Sequence, residues 1–216
     1  MSRCVIISAC PVSASLASAL RPGDTIIACD AGYRNCGPLH CRPDIIVGDF
    51  DTAPCPAQEG DDTIILPHVK DDTDTEYAAK LASEKGFDEA LLLGVLGGRR
   101  LEHTLANLCT GLGLEQRGVR ATLLDERSRI TFVMPGETRR YPRNEYFYLS
   151  VFPLTIRFGQ MHTQIGLAKK LGKEDIYTKI TKWNTKTGLS NGPETNLYNL
   201  ARHENLYINN KNVVIK

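Results

Sequence analysis

The sequence predicts an α/β protein: a parallel sheet with helices on its faces, followed by a smaller antiparallel β region. Three observations carry this reading. Short, buried-type apolar runs alternate with helical stretches as far as Leu124. Acids and glycines stand directly after those runs, as in Cys29-Asp30-Ala31-Gly32 and Val47-Gly48-Asp49-Phe50-Asp51. Beyond Asp125 the pattern changes to short strands separated by turns.

Residues 4–8 (Cys-Val-Ile-Ile-Ser) form a first strand, and residues 12–20 a helix of small side chains. Pro22-Gly23-Asp24 is a turn. Residues 25–29 (Thr-Ile-Ile-Ala-Cys) are a second buried strand ending in Asp30-Ala31-Gly32. A loop over 37–42 leads to Ile45-Ile46-Val47, a short strand ended by Gly48. Residues 52–62 read as a loop and 63–66 as a strand.

Tyr77, Ala78, Leu81 and Ala82 then recur at helical spacing, with Asp or Thr before them able to cap the helix. Residues 88–94 turn into a further strand, a helix follows from Thr104 to about Arg117, and residues 121–124 make one more strand. In the last third, residues 130–134 and 146–152 read as strands. The tail reads as a hairpin, with strands at 205–208 and 213–215 about an Asn209-Asn210 turn. The division is expected near 125–130, giving regions 1–127 and 128–216.

Composition narrows the class of function. The chain has 216 residues, 42% hydrophobic and 24% charged, ordinary for a soluble globular protein. A net charge of +1 gives no bulk electrostatic pull toward nucleic acid or membrane. No apolar run approaches bilayer length, and the apolar start at Val5-Ile6-Ile7 is too short for a signal peptide. Seven cysteines, an odd number with no C-x-x-C pair, point to reduced thiols and a cytoplasmic setting rather than to a zinc or redox motif.

Four polar clusters follow strands: Asp30/Gly32, Asp49/Asp51, Lys70 to Asp74, and Gly97 to His103. Any one alone is most simply a wet loop. In a parallel sheet, however, all four fall on the edge beyond the strands' carboxyl ends, where α/β proteins bind ligands. Carboxylates there suit Mg²⁺, Arg99 suits a phosphate chain, and Gly97-Gly98 lets backbone N–H groups approach an anion. Neither G-x-x-x-x-G-K-[ST] nor G-x-G-x-x-G after the first strand is present.

Together these residues resemble the thiamine pyrophosphokinase family. Its signature is an acid-glycine turn after the second strand, then P-D-x-x-x-G-D-F-D-S, K-D-x-T-D and a G-G-R segment ending in D-H. The counterparts here are Asp30-Ala31-Gly32, residues 43–52, Lys70-Asp71-Asp72-Thr73-Asp74 and residues 97–103. Ala31, Thr52 and Glu102 replace the usual Gly, Ser and Asp, and Arg100 lengthens the last segment by one residue.

The resemblance implies an N-terminal, Rossmann-like α/β nucleotide-binding domain and a C-terminal β-sandwich that binds thiamine. It further implies a homodimer with sites between subunits. The implied reaction is transfer of a diphosphoryl group from ATP to the thiamine hydroxyl, releasing AMP. Asp49, Asp51 and Asp74 would hold Mg²⁺, with Asp71 joining them in the catalytic group. Asp30, Gly32, Lys70, Thr73, Gly97, Gly98, Arg99 and His103 would surround the nucleotide. Glu102, Ser190 and Asn191 would serve thiamine. Either Asp74 or Asp71 would take the alcohol's proton. Two other readings stay open: a pyrophosphokinase for another small alcohol such as a hydroxymethylpterin, and a non-catalytic thiamine or nucleotide binder. Residues 155–186, lysine-rich and polar, match no strand pattern of the family and read as a solvated loop or edge hairpin. Trp183 suits thiamine stacking and a sandwich core equally.

Overall fold

The computed structural model describes residues 1–50, 62–68, 71–134, 137, 139–142, 148–149, 169–170, 206–208 and 212–215. Two compact units divide the chain, Met1–Phe132 and Val133–Lys216.

The first unit is built on β1 (Arg3–Ile7), β2 (Thr25–Cys29), β3 (Ile45–Gly48), β4 (Asp62–Ile65), β5 (Glu89–Leu93), β6 (Arg120–Leu124) and β7 (Arg129–Thr131). These lie in the order β4-β3-β2-β1-β5-β6-β7, with every neighbouring pair parallel except β6–β7. The mixed α/β class with a mainly parallel sheet is thus as expected. From β1 the chain steps outward through β2, β3 and β4, then crosses to the other side of β1 for β5. That reversal opens a crevice at the carboxyl ends of β1 and β5.

Alternate residues of the strands feed two cores, as a sheet covered on both faces requires. Cys4, Ile6, Ile27, Val47, Leu92 and Leu123 face α1 (Asp74–Glu84) and α2 (Leu101–Gln116). Val5, Ile7, Ala28, Leu91 and Leu93 face Leu16, Cys36 and Leu39 on the other side. That second face is covered by 3-10 helices, Ala14–Ala19 and Asp30–Cys36. The helix expected at 12–20 is therefore shorter and tighter. Its serines draw on the local backbone, with Ser18 Oγ donating to Ser15 O at 2.9 Å.

The polar stretch after Asp125 is a tight turn within the first sheet. Asp125 Oδ1 accepts from Arg127 N at 2.7 Å and Ser128 N at 2.6 Å, folding β7 back on β6. Phe132 is buried, and its ring leaves no room for a side chain at Gly111: a Cβ there would lie 2.5 Å from Phe132 Cε2. The strand expected at 130–134 in the second region thus belongs, as Arg129–Thr131, to the first sheet, and the division falls after Phe132.

Within the second unit β8 (Arg139–Pro142), β11 (Leu206–Ile208) and β12 (Asn212–Ile215) form an antiparallel sheet in the order β11-β12-β8. The expected tail hairpin is the β11–β12 pair. A second antiparallel pair joins β9 (Tyr148–Leu149) to β10 (Lys169–Lys170). Most of the expected sandwich, including Trp183, Ser190 and Asn191, lies outside the described residues.

Candidate active site

The crevice starts at the end of β1. Ser8 N donates to Leu93 O at 2.8 Å and Cys10 N to Gly94 O at 3.0 Å, so the chain after β1 stays bound to the chain after β5. Gly94 has a φ of 65°, and a Cβ there would sit 2.4 Å from Ser8 O. Only glycine allows this approach. On the other side of Ser8, Asn35 Nδ2 donates to Ser8 O at 2.7 Å and to Cys10 O at 2.9 Å. Asn35 is carried by the 3-10 helix that begins at Asp30. That helix can lie so close because Gly32 has no side chain; a Cβ there would meet Ile7 O at 2.1 Å.

Asp30 ends β2 in the left-handed region, with a φ of 45°. Its Oδ1 is buried and has no hydrogen-bond partner among the described residues. A buried carboxylate oxygen in that state is costly, and such strain gathers at functional sites. Register puts Cys29 opposite Val47, so Asp30 stands beside Gly48, whose Cβ position lies 3.0 Å from Asp30 Cα. Asp49 follows immediately, its side chain 11% exposed, with Oδ2 at 3.9 Å from His68 Nδ1. Phe50 is again left-handed, with a φ of 54°.

α1 enters from the third side. Its N-cap Thr73 uses the side-chain oxygen to accept from Glu76 N at 3.1 Å. Capping uses the Thr73 oxygen as an acceptor, a task separate from the nucleotide contact expected for that hydroxyl. Asp74 is the first residue of the helix, and Thr75 Oγ1 lies 3.2 Å from Ser8 Oγ, docking the helix start on the end of β1. Burial drives the Cys29 thiol pKa upward, and the charges of Asp74 and Asp30 push it further the same way. Both carboxylates therefore reach the same strand end. Asp71 is exposed, whereas Asp72 pairs with Lys80 at 2.6 Å.

The fourth wall is the glycine segment. Gly97 and Gly98 take φ values of 74° and 82°. Thr104 Oγ1 donates to Gly97 O at 3.0 Å and Asn107 Nδ2 to Val95 O at 2.8 Å, tying the segment to α2. The helix starts at Leu101, three residues before the expected Thr104, and His103 N donates to Arg100 O at 3.2 Å in its first turn. Arg100 precedes it without a side-chain cap. Uncapped N–H groups beside open glycine backbone suit an anion. Arg99 and His103 are exposed here. Glu102 pairs with Arg100 at 2.7 Å, and that bond holds its carboxyl below the ordinary range.

Asp30, Gly32, Asp49, Asp74, Gly97 and Gly98 thus share one sheet edge. Asp51 and Lys70 lie outside the described residues. Sequence reasoning passed over Ser8, Asn35, Thr75 and His68, which the fold also brings here. Among the described residues no group of three His, Cys, Asp or Glu is placed to hold a metal. Mg²⁺, however, asks for only one or two protein carboxylates, with water and phosphate completing its shell. Asp49 and Asp74 are carboxylates of the kind that donor set needs.

Comparison with known proteins gives the family and the fold. Residues 16–123 match the model described as the catalytic domain of thiamin pyrophosphokinase. The thiamin pyrophosphokinase of Geobacillus thermodenitrificans superposes with a TM-score of 0.60 at 26% identity, covering 70% of this chain and 73% of that one. The Bacillus subtilis thiamine pyrophosphokinase gives 0.58 at 22% identity, over 68% and 71% of the two chains. The Candida albicans enzyme gives 0.58 at 16%, over 72% of each, and like the Bacillus enzyme speaks for the fold alone. No curated protein matches the sequence.

Proposed function

The chain belongs to the thiamin pyrophosphokinase family, and from that premise we propose that ATP gives its β- and γ-phosphoryl groups to the thiamine hydroxyl, with AMP leaving. The observation that carries the placement of this reaction is the convergence on one sheet edge of the buried Asp30 oxygen, Asp49, Asp74 and the glycine segment.

Asp49, Asp51 and Asp74 would hold Mg²⁺. The ion supplies charge neutralisation on the phosphate oxygens. The remaining work falls to the chain. Gly97-Gly98 and the uncapped start of α2 offer N–H groups to the phosphates, and Arg99 adds positive charge beside them. Asp30, Gly32, Lys70, Thr73 and His103 complete the nucleotide surroundings. Attack at the β-phosphorus is then mainly positioning and electrostatics. Asp74 or Asp71 accepts the hydroxyl proton. Ser190 and Asn191 bind thiamine, and Glu102 lies near it. The division of labour, nucleotide on the first region and thiamine on the second, belongs to this proposal, as does a homodimer with sites completed between subunits.

Incubation with ATP, Mg²⁺ and thiamine should give AMP and thiamine diphosphate in equal amounts by chromatography, with no product from hydroxymethylpterin. ADP as the nucleotide product, or AMP independent of thiamine, would contradict the reading.

A further inference from the structure

The turn between the 3-10 helix Asp30–Cys36 and β3 brings two cysteines together on the sheet face away from α1 and α2. Leu39 N donates to Asn35 O at 3.2 Å, His40 N to Gly37 O at 3.0 Å, and Cys41 N to Cys36 O at 3.1 Å. With standard backbone dimensions that last bond caps the Cα–Cα distance of residues 36 and 41 at about 7 Å. Disulfides span roughly 4.4–6.8 Å. Leu39, between them, is 1% exposed and Cys36 is 5% exposed, so the turn is anchored in the core and cannot easily open. Cys41 is half-buried, so it is the member a small reagent can reach. Both are free thiols in the structure.

We propose that Cys36 and Cys41 are a redox pair that closes reversibly to a disulfide. The oxidant class is a small-molecule disulfide. The Cys41 thiolate attacks one sulfur of glutathione disulfide, forming a mixed disulfide and expelling one glutathione thiolate. Cys36 then loses its proton and attacks Cys41 Sγ, breaking the mixed disulfide and releasing the second glutathione. Two protein thiols are oxidised, and one glutathione disulfide is reduced to two glutathiones.

The order of attack follows from the contact between the thiols. The Cys36 thiol donates a hydrogen bond to Cys41, lowering the Cys41 pKa and raising that of Cys36. The thiolate therefore forms on the accessible sulfur. Asn35, the residue before Cys36, is the clamp on Ser8 and Cys10, so a closed bridge would sit directly behind an anchor of the crevice.

The test is equilibration of the reduced full-length chain in glutathione buffers of graded ratio, followed by alkylation and peptide mass spectrometry. The expected result is a Cys36–Cys41 link, lighter by two hydrogens, that appears with increasing glutathione disulfide and is fully reversed by dithiothreitol. Cys36→Ser should trap glutathione on Cys41, and Cys41→Ser should leave Cys36 unmodified. A persistent glutathione adduct on wild-type Cys41, a Cys41–Cys55 link, or modification of Cys109 with none at Cys41 would overturn the proposal. Should Cys36→Ser fail to fold, the wild-type link and the silent Cys41→Ser variant decide the matter.

Discussion

At the amino edge of the sheet Arg3 and Asp24 meet in a two-pronged pair, Nε to Oδ1 at 2.8 Å and Nη2 to Oδ2 at 2.5 Å, with side chains 10% and 5% exposed. At the carboxyl edge of the adjacent β2, Asp30 buries an oxygen that no donor meets among the described residues. The amino edge goes on in the same manner. Asp88 accepts from Ser2 N, Asp44 from Ile26 N, and Glu89 lies between Arg21 and Arg120. The carboxyl edge gathers left-handed Asp30 and Phe50 together with left-handed Gly94, Gly97 and Gly98. Left-handed residues also stand before the strands, at Gly23, His40, Gly86 and Gly118, so backbone strain does not separate the two edges. The difference lies in charge: one edge pairs its carboxylates, and the other buries an oxygen without a donor among the described residues, a cost that a site can justify.

The contrast breaks most visibly through activity. Asp49→Asn should lower thiamine-dependent AMP formation by a factor on the order of a thousand, the scale of removing a key electrostatic group. Its urea midpoint should stay close to wild type. The same substitution at Asp24 should do the reverse, leaving turnover of the folded fraction intact while removing the partner of a buried guanidinium.

Arg3→Met should cost about 3–5 kcal/mol in urea unfolding, since it strands the buried Asp24 charge. The pair also makes stability pH-dependent. Burial pushes the Asp24 pKa up, but the Arg3 and Arg21 N–H bonds and nearby positive charge outweigh it, and the net shift is downward. A depressed carboxyl pKa stabilises fully above its unfolded value of about 3.9, and that stabilisation fades as pH falls through the folded value. The urea midpoint should therefore drop below about pH 4, and Asp24→Asn should flatten that limb.

Gly32→Ala sharpens the comparison from the carboxyl side. Its Cβ would lie 2.1 Å from Ile7 O, and the forced shift should cost about 3 kcal/mol while loosening the Asn35 clamp. Thr73→Ala removes the α1 cap and should cost about 1 kcal/mol by the same measurement. A loss of ATP affinity beyond that stability cost would assign the hydroxyl to the nucleotide, and an unchanged affinity would leave it the cap alone.

Much of the first unit was legible because its strands are buried on both faces. Thr25–Cys29 needs no alternation to be read as a strand, and Gly48 and the acids mark where β3 ends. The helix Asp30–Cys36 was not legible. Gly-Tyr-Arg-Asn has no helical periodicity, and the segment is placed by the approach of Gly32 to Ile7. The β6–β7 turn was read as the division between regions because Asp125 folds it through local side-chain bonds that leave no apolar pattern. In the site, Asp30, Asp49 and Asp74 were visible as acids after strands. The Ser8–Thr75 contact joins residues 67 apart, and only the fold could reveal it.

In the proposed reaction the carboxyl edge holds a divalent cation together with nucleotide. Electron paramagnetic resonance of Mn²⁺, titrated with a non-hydrolysable ATP analogue present, measures this directly. The expected result is a nucleotide-dependent site in the wild-type chain that weakens at least tenfold in Asp49→Asn and is unchanged in Asp88→Asn at the opposite edge. Equal Mn²⁺ affinity in the two variants would contradict it.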